Sequence, residues 1–174
     1  MSKVWVADSP NTILFFDEVT SDSVRTLIEK IRERWSKTKN EAPVQVLVNS
    51  TGGDAKAAFA FLYTIGDLGI PIHTFGYSIE SAAVLIYLAG ETRFAHKTRT
   101  QFLLHEAKVG LHGEHSADSA KKLFEELEGI NSTFAQCVAE RTGTELQSIV
   151  ELMAKGTWLN AQQAKELNLV NAII

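Results

Sequence analysis

Residues 44–55, Val44-Gln45-Val46-Leu47-Val48-Asn49-Ser50-Thr51-Gly52-Gly53-Asp54-Ala55, pass from an apolar run through a glycine pair into a helical pattern. A short run rich in Val, bounded by turn residues, reads as a buried strand over Val44–Val48. The glycine pair reads as a tight turn. A helix fits Ala55 to Leu68, and Gly69 and Pro71 punctuate its end. A second strand is expected over Ile72–Phe75, running to Gly76, and a third over Gln101–Leu104. The first strand leads to Gly52-Gly53, the second to the segment carrying Ser81, and the third to His105.

Outward from this centre the pattern repeats. Ile13–Phe16 reads as a strand. Thr20 is placed to cap a helix over Ser21–Trp35, whose Val24, Leu27, Ile28 and Ile31 share one face. Ser36 to Pro43 reads as a surface loop. A helix of small residues is expected from Ser81 to Ala89, and a short strand over Arg93–Ala95. Alternating strands and helices predict an α/β fold with a largely parallel sheet. Lys108 to His115 has no period and reads as a loop. Ser116 is placed to cap a long helix to about Arg141. Leu123, Leu127, Ile130, Phe134 and Val138 form its narrow apolar stripe. Such a helix either docks a partner or covers the sheet. Thr144 and Asn160 each open a capping-box pattern, and Leu169–Ile174 reads as a closing strand. No repeat or linker divides the chain, so residues 1–174 are expected to form one domain.

Composition narrows the function classes. Seventeen Lys and Arg against 21 Asp and Glu give a net charge of −4, without a basic cluster to hold nucleic acid. No apolar stretch reaches the roughly 18 residues that span a membrane, and the start lacks a signal-peptide core. Cys137 is the only cysteine, so no internal disulfide forms. It lies on an apolar helical stripe and reads as a core thiol. A cytoplasmic protein is the expectation. His112 and His115, near His105 and Glu106, have ligand chemistry but no cysteine support, so no metal site is expected.

Each candidate site residue has two readings. Gly52-Gly53 is a plain turn, or a turn that presents backbone N–H groups to a developing anion. Ser81 is a helix N-cap or a nucleophile. His105 is structural, or it is a base whose free nitrogen faces the Ser81 hydroxyl while a partner orients the other nitrogen. In combination the three parts make acyl transfer the natural chemistry.

The chain resembles the Clp protease proteolytic subunit family, serine peptidases of the crotonase-like fold. The likeness rests on Val48-Asn49-Ser50-Thr51-Gly52-Gly53, Phe75-Gly76 through Ser81-Ala82-Ala83, Ala89-Gly90, and Leu103-Leu104-His105. It continues in Arg141-Thr142-Gly143 and in Trp158-Leu159-Asn160-Ala161 through Val170, and covers roughly residues 12 to 174. The resemblance implies an α/β crotonase-like fold of repeated β-β-α units with a protruding handle helix over about residues 116–142. It implies Ser81 as nucleophile, His105 as base, and Gly52 and the Ala82 backbone as oxyanion donors. It further implies no cofactor, a peptide or unfolded-protein substrate, and a homo-oligomer of stacked rings.

Several positions depart from the family pattern. Thr51 stands where a proline is usual, and the run from Gly76 to Ser81 is one residue longer, bringing Glu80 close to the nucleophile. Glu106 replaces the usual glutamine and Ala107 a proline. The triad aspartate falls on Leu152, which cannot accept an imidazole N–H. Glu151 is the possible third member, and Glu106 a poorer one. The segment that meets an ATPase unfoldase in the family is largely missing from Met1–Pro10, so such docking is in doubt. Weak peptidase activity is therefore expected, with a catalytically inactive or regulatory ring subunit as the alternative. An acyl-CoA enzyme of the same fold class has only Glu80 in its favour.

Overall fold

The period-two pattern of Val44–Ser50 is read out directly as burial. Val44, Val46, Val48 and Ser50 face the core and Gln45, Leu47 and Asn49 are half-buried. In the computed structural model, which describes residues 10–38, 42–110, 114 and 116–174, this strand is β2 (Val44–Ser50), central to a seven-stranded sheet. His112, His115 and almost all of Met1–Pro10 lie outside the described residues. The elements run β1 (Thr12–Phe15), α1 (Ser21–Lys37), β2, α2 (Ala55–Leu68), β3 (Ile72–Glu80), α3 (Ala83–Leu88), β4 (Thr92–Ala95) and β5 (Gln101–Leu104). They continue with α4 (Ala117–Thr142), α5 (Leu146–Lys155), β6 (Thr157–Asn160), α6 (Ala161–Glu166) and β7 (Ala172–Ile173).

The sheet order is β1-β2-β3-β4-β7, parallel at every step, as the strand–helix alternation predicts. β3 is longer than the four-residue strand expected, because it serves two neighbours in turn. His73–Gly76 pair with β4, and Ser78–Glu80 pair with β5, also in parallel. β5 in turn holds β6 antiparallel, with Gln101 opposite Asn160. The extra residue between Gly76 and Ser81 is absorbed on the other side of β3. Val48 pairs with Gly76 but Ser50 with Ile79, so one more residue of β3 than of β2 lies between the pairs. The Ser78 N–H turns to the Asn49 side-chain carbonyl at 3.2 Å.

Helix ends follow side-chain chemistry. Thr20 and Ser23 form the box that starts α1, whose Val24, Leu27 and Ile31 are buried. The Asp54 carboxylate accepts the Lys56 N–H and starts α2, and Asn160 with Gln163 starts α6. Two expectations are corrected here. Thr144 does not cap α5: its hydroxyl donates to the Leu167 carbonyl at 2.8 Å, and Glu145 takes the cap position without a side-chain bond. The final strand is only Ala172–Ile173, because the N–H groups of Leu169 and Val170 return to the Ala164 carbonyl and finish α6.

The core is continuous across both faces of the sheet, with Phe61, Ile72, Ile79, all of α3 and Phe102 fully enclosed. Among the described residues no carboxylate pairs with buried Arg93. Its guanidinium donates to the carbonyls of Gly90, Asn168 and Leu169, tying the end of α3 to the turn before β7. Burial lowers the pKa of this guanidinium, the cost of placing a cation there. α4 is about 39 Å long at 1.5 Å per residue. Only Phe134 and the residues beyond it are buried on the body; residues 117–133 are exposed or half-buried.

Candidate active site

Ser81 ends β3 by turning into the left-handed region, with φ 55, one of two non-glycine residues there among the described ones. Its N–H donates to the Leu103 carbonyl at 2.9 Å, the last rung toward β5, and its carbonyl accepts the Val84 N–H at 3.0 Å as α3 begins. Of the two readings of Ser81, the capping one is not realised: Ala82 is the N-cap of α3, and no side chain caps it. The strained strand-to-helix turn instead leaves the Ser81 hydroxyl at the cleft surface. The N–H of Ala82 takes part in none of the turn's bonds.

His105 is brought alongside by sheet register. β3 and β5 are parallel, with Glu80 opposite Leu103, so Ser81 lies next to Leu104 and His105 follows at once. Adjacent strands are about 4.8 Å apart, and both side chains line the same cleft, of about 560 Å³. The Nδ1 atom of His105 is 2.6 Å from the Glu106 carbonyl oxygen. That oxygen only accepts, so Nδ1 is the donor in this contact, the arrangement in which a neutral imidazole carries its lone pair on Nε2.

The glycine turn packs directly on Ser81. A Cβ on Gly52, at φ 93, would come within 2.7 Å of the Ser81 Cβ and of the Glu80 carbonyl, so only glycine permits this approach. Gly53, at φ 140, lies against Val19, whose N–H and carbonyl bond to Gly52 and Asp54. The turn corrects the donor expected at Gly52. Gly52 is buried, and its N–H donates to the Ser50 hydroxyl at 3.2 Å, which itself donates to the Asp17 carbonyl. Gly53 is exposed, lines the cleft, and keeps its N–H out of both bonds to Val19.

Glu151, the possible third member, lies apart from the cleft in the single subunit. Glu151 is exposed on α5 and its carboxylate accepts from Gln147, four residues back; it does not line the cleft. The reason is helical geometry, since one residue turns a side chain by about 100°. Leu152 packs half-buried against the core in its place. Glu80 is also absent from the cleft wall, and its carboxylate accepts the Ser78 hydroxyl proton at 2.8 Å.

Two contributors gave no sequence signal. Asn131 of α4 accepts the Ala107 N–H at 2.7 Å, pinning the chain just past His105. Lys56 of α2 pairs with Glu126 of α4 beside the cleft, and the Glu126 carboxylate holds the Lys56 ammonium above its usual pKa. Nothing local marks either, because the pairs are 24 and 70 residues apart. Val109, Leu123, Leu127, Ile130 and Phe134 make an apolar part of the wall, while Thr51, Asp54 and Lys108 add polar groups to it. The stripe of α4 thus serves the cleft as much as the core. Among the described residues no group of three His, Cys, Asp or Glu side chains is set to hold a metal ion, and no helix is long and apolar enough to cross a membrane.

The model of the Clp protease family matches residues 7–174. The chain belongs to the Clp protease family. Among curated relatives, the ATP-dependent Clp protease proteolytic subunit 2 of Treponema denticola is 31% identical over 159 residues, covering 90% of this chain and 76% of the relative. The subunit 2 of Treponema pallidum is 29% identical, covering 93% and 81%. A solved structure of a ClpP1 mutant from Listeria monocytogenes superposes with a TM-score of 0.81 at 22% identity, covering 94% of this chain and 91% of that one. The fold is therefore the Clp-protease-like α/β fold, and the chain is a divergent member of a peptidase family.

Proposed function

We propose that this Clp protease family member is a serine endopeptidase in which Ser81 is the nucleophile and His105 the base. The observation that carries this is the delivery of both side chains, by adjacent parallel strands, to one cleft. His105 Nε2 takes the hydroxyl proton as Ser81 Oγ attacks the peptide carbonyl. The protonated ring then gives that proton to the leaving amine, and water repeats the cycle on the acyl-enzyme. The N–H groups of Ala82 and Gly53 hold the oxyanion; Gly53 replaces Gly52 because it lines the cleft with its N–H outside the bonds to Val19, whereas the Gly52 N–H donates to Ser50. The apolar wall supplied by α4 suits a substrate with an apolar side chain beside the scissile bond. Part of that wall stays exposed in the single subunit, which supports a homo-oligomer of stacked rings docked through this helix. A cytoplasmic setting and an unfolded-protein substrate complete the proposal.

A fluorophosphonate probe should modify Ser81 in the assembled protein, read by peptide mass spectrometry. Ser81→Ala should abolish hydrolysis of a fluorogenic peptide and leave the assembly size unchanged. Turnover persisting in that variant would falsify the assignment. One observation favours the second reading, a non-catalytic or regulatory ring subunit: among the described residues no carboxylate bonds to His105. That reading predicts an unlabelled Ser81 in every assembled state.

A further inference from the structure

We infer that Asn131 is a positioning residue: it fixes the Glu106–Ala107 peptide so that the Glu106 carbonyl does the orienting work of the missing aspartate. The inference rests on the peptidase reading of Ser81 and His105.

Two distances carry it. The Ala107 N–H donates to Asn131 Oδ1 at 2.7 Å, and His105 Nδ1 lies 2.6 Å from the Glu106 carbonyl oxygen. Both backbone groups belong to one peptide unit, and that unit is trans. In a trans peptide the N–H and the C=O lie in one plane and point in opposite directions. Anchoring the N–H to α4 on one side therefore aims the oxygen at the imidazole on the other. Residues 105–110 belong to no strand or helix, so no ladder would otherwise fix this peptide plane. The position where the family carries aspartate holds Leu152, which has no acceptor.

The consequence follows from what a carbonyl is. It accepts the Nδ1 proton and holds the ring with Nε2 toward Ser81, as a carboxylate would. It carries no full negative charge, so it stabilises the imidazolium less. This chain should thus hold the correct tautomer and still turn over slowly.

The test uses the assembled full chain with Asn131→Ala and Asn131→Asp. Turnover of a fluorogenic peptide, Ser81 labelling, and solid-state 15N spectra of histidine-labelled protein are measured, with His105 assigned by difference against His105→Gln. Asn131→Ala should lower kcat by about 10- to 100-fold, the usual cost of losing an orienting partner, with KM changed less than about twofold. The Nδ1–H signal of His105 should weaken in step. Asn131→Asp keeps an acceptor for the same N–H and should restore kcat to within about threefold and the signal in full. An unchanged Nδ1–H signal in Asn131→Ala overturns the inference, as does an effect confined to KM or an Asn131→Asp protein no better than Asn131→Ala. Failure of the peptidase reading looks different: the unsubstituted protein neither labels at Ser81 nor hydrolyses peptide. The His105 signal in the two variants then decides the role of Asn131 by itself.

Discussion

Ser81 adopts a backbone conformation that costs a serine about 1 kcal/mol or more, and the surrounding bonds to Leu103 and Val84 hold it there. Such strain is legible only in three dimensions. The sequence shows a serine before two alanines, which is equally the pattern of a cap. The glycine pair was legible as a turn, but not that the Ser50 hydroxyl accepts the Gly52 N–H. Glu151 faces away from the cleft in the subunit because adjacency in sequence is not adjacency on a helix. A residue-scale prediction concerns Tyr87, fully buried, with its hydroxyl donating to the Phe94 carbonyl at 2.9 Å. Burial pushes its pKa well above the ordinary 10.0. The folded state therefore keeps the proton while the unfolded chain releases it above pH 10. The stability tied to this group is fully present below pH 10 and is lost above it, at up to about 1.4 kcal/mol per pH unit. Tyr87→Phe should cost about 1 kcal/mol at pH 8 through the lost hydrogen bond. Because phenylalanine cannot ionise, that gap should close by about pH 11. Urea unfolding at the two pH values checks this; a constant gap would exclude ionisation of Tyr87 as the cause.

At the scale of elements, α4 is two helices in energetic terms. From Phe134 onward it buries Ala135, Cys137, Val138 and Thr142 against the body, and Cys137 lies 3.4 Å from the Tyr63 hydroxyl. Before Phe134 it has the Lys56–Glu126 pair and half-buried Leu123, Leu127 and Ile130. Exposed ion pairs contribute little, typically under about 1 kcal/mol. The first half is therefore held mainly by helical bonding and by the cleft wall. Amides of residues 118–130 should exchange with deuterium at least about tenfold faster than those of 136–142 in a dissociated subunit, and the difference should shrink on assembly. Uniform exchange along α4 in the dissociated state would show that the body alone holds the whole helix. The helix and its stripe were readable from the 3.6-residue period. The sequence left open whether the stripe covers the sheet or docks a partner; only the part from Phe134 onward covers the body. Asn131 sits at that division, where α4 leaves the body and meets the chain after His105.

For the whole molecule, the unanswered demand is apolar surface. Phe124 is 66% exposed on the free half of α4, next to Val109 at 45%, and together with Leu123 and Leu127 they line a groove. A helix with an apolar stripe that its own subunit leaves half covered is at its most stable when a second copy covers the rest. A contact across a two-fold axis uses the same patch on both copies, so in such a contact Phe124 of one copy would meet this groove on another. Burying one phenylalanine contributes about 2 kcal/mol, and symmetry repeats it at every such contact. Replacing it with a charge removes that term and adds the cost of desolvating a carboxylate. Phe124→Glu should therefore dissociate stacked rings into smaller species at micromolar concentration, seen in sedimentation velocity, while far-ultraviolet circular dichroism stays unchanged because the side chain is largely exposed in the subunit. Since the same helix walls the cleft, the dissociated form should also lose peptide hydrolysis with Ser81 and His105 intact. An assembly of unaltered size would mean that the rings stack through another face, and that the exposed half of α4 answers to a different partner.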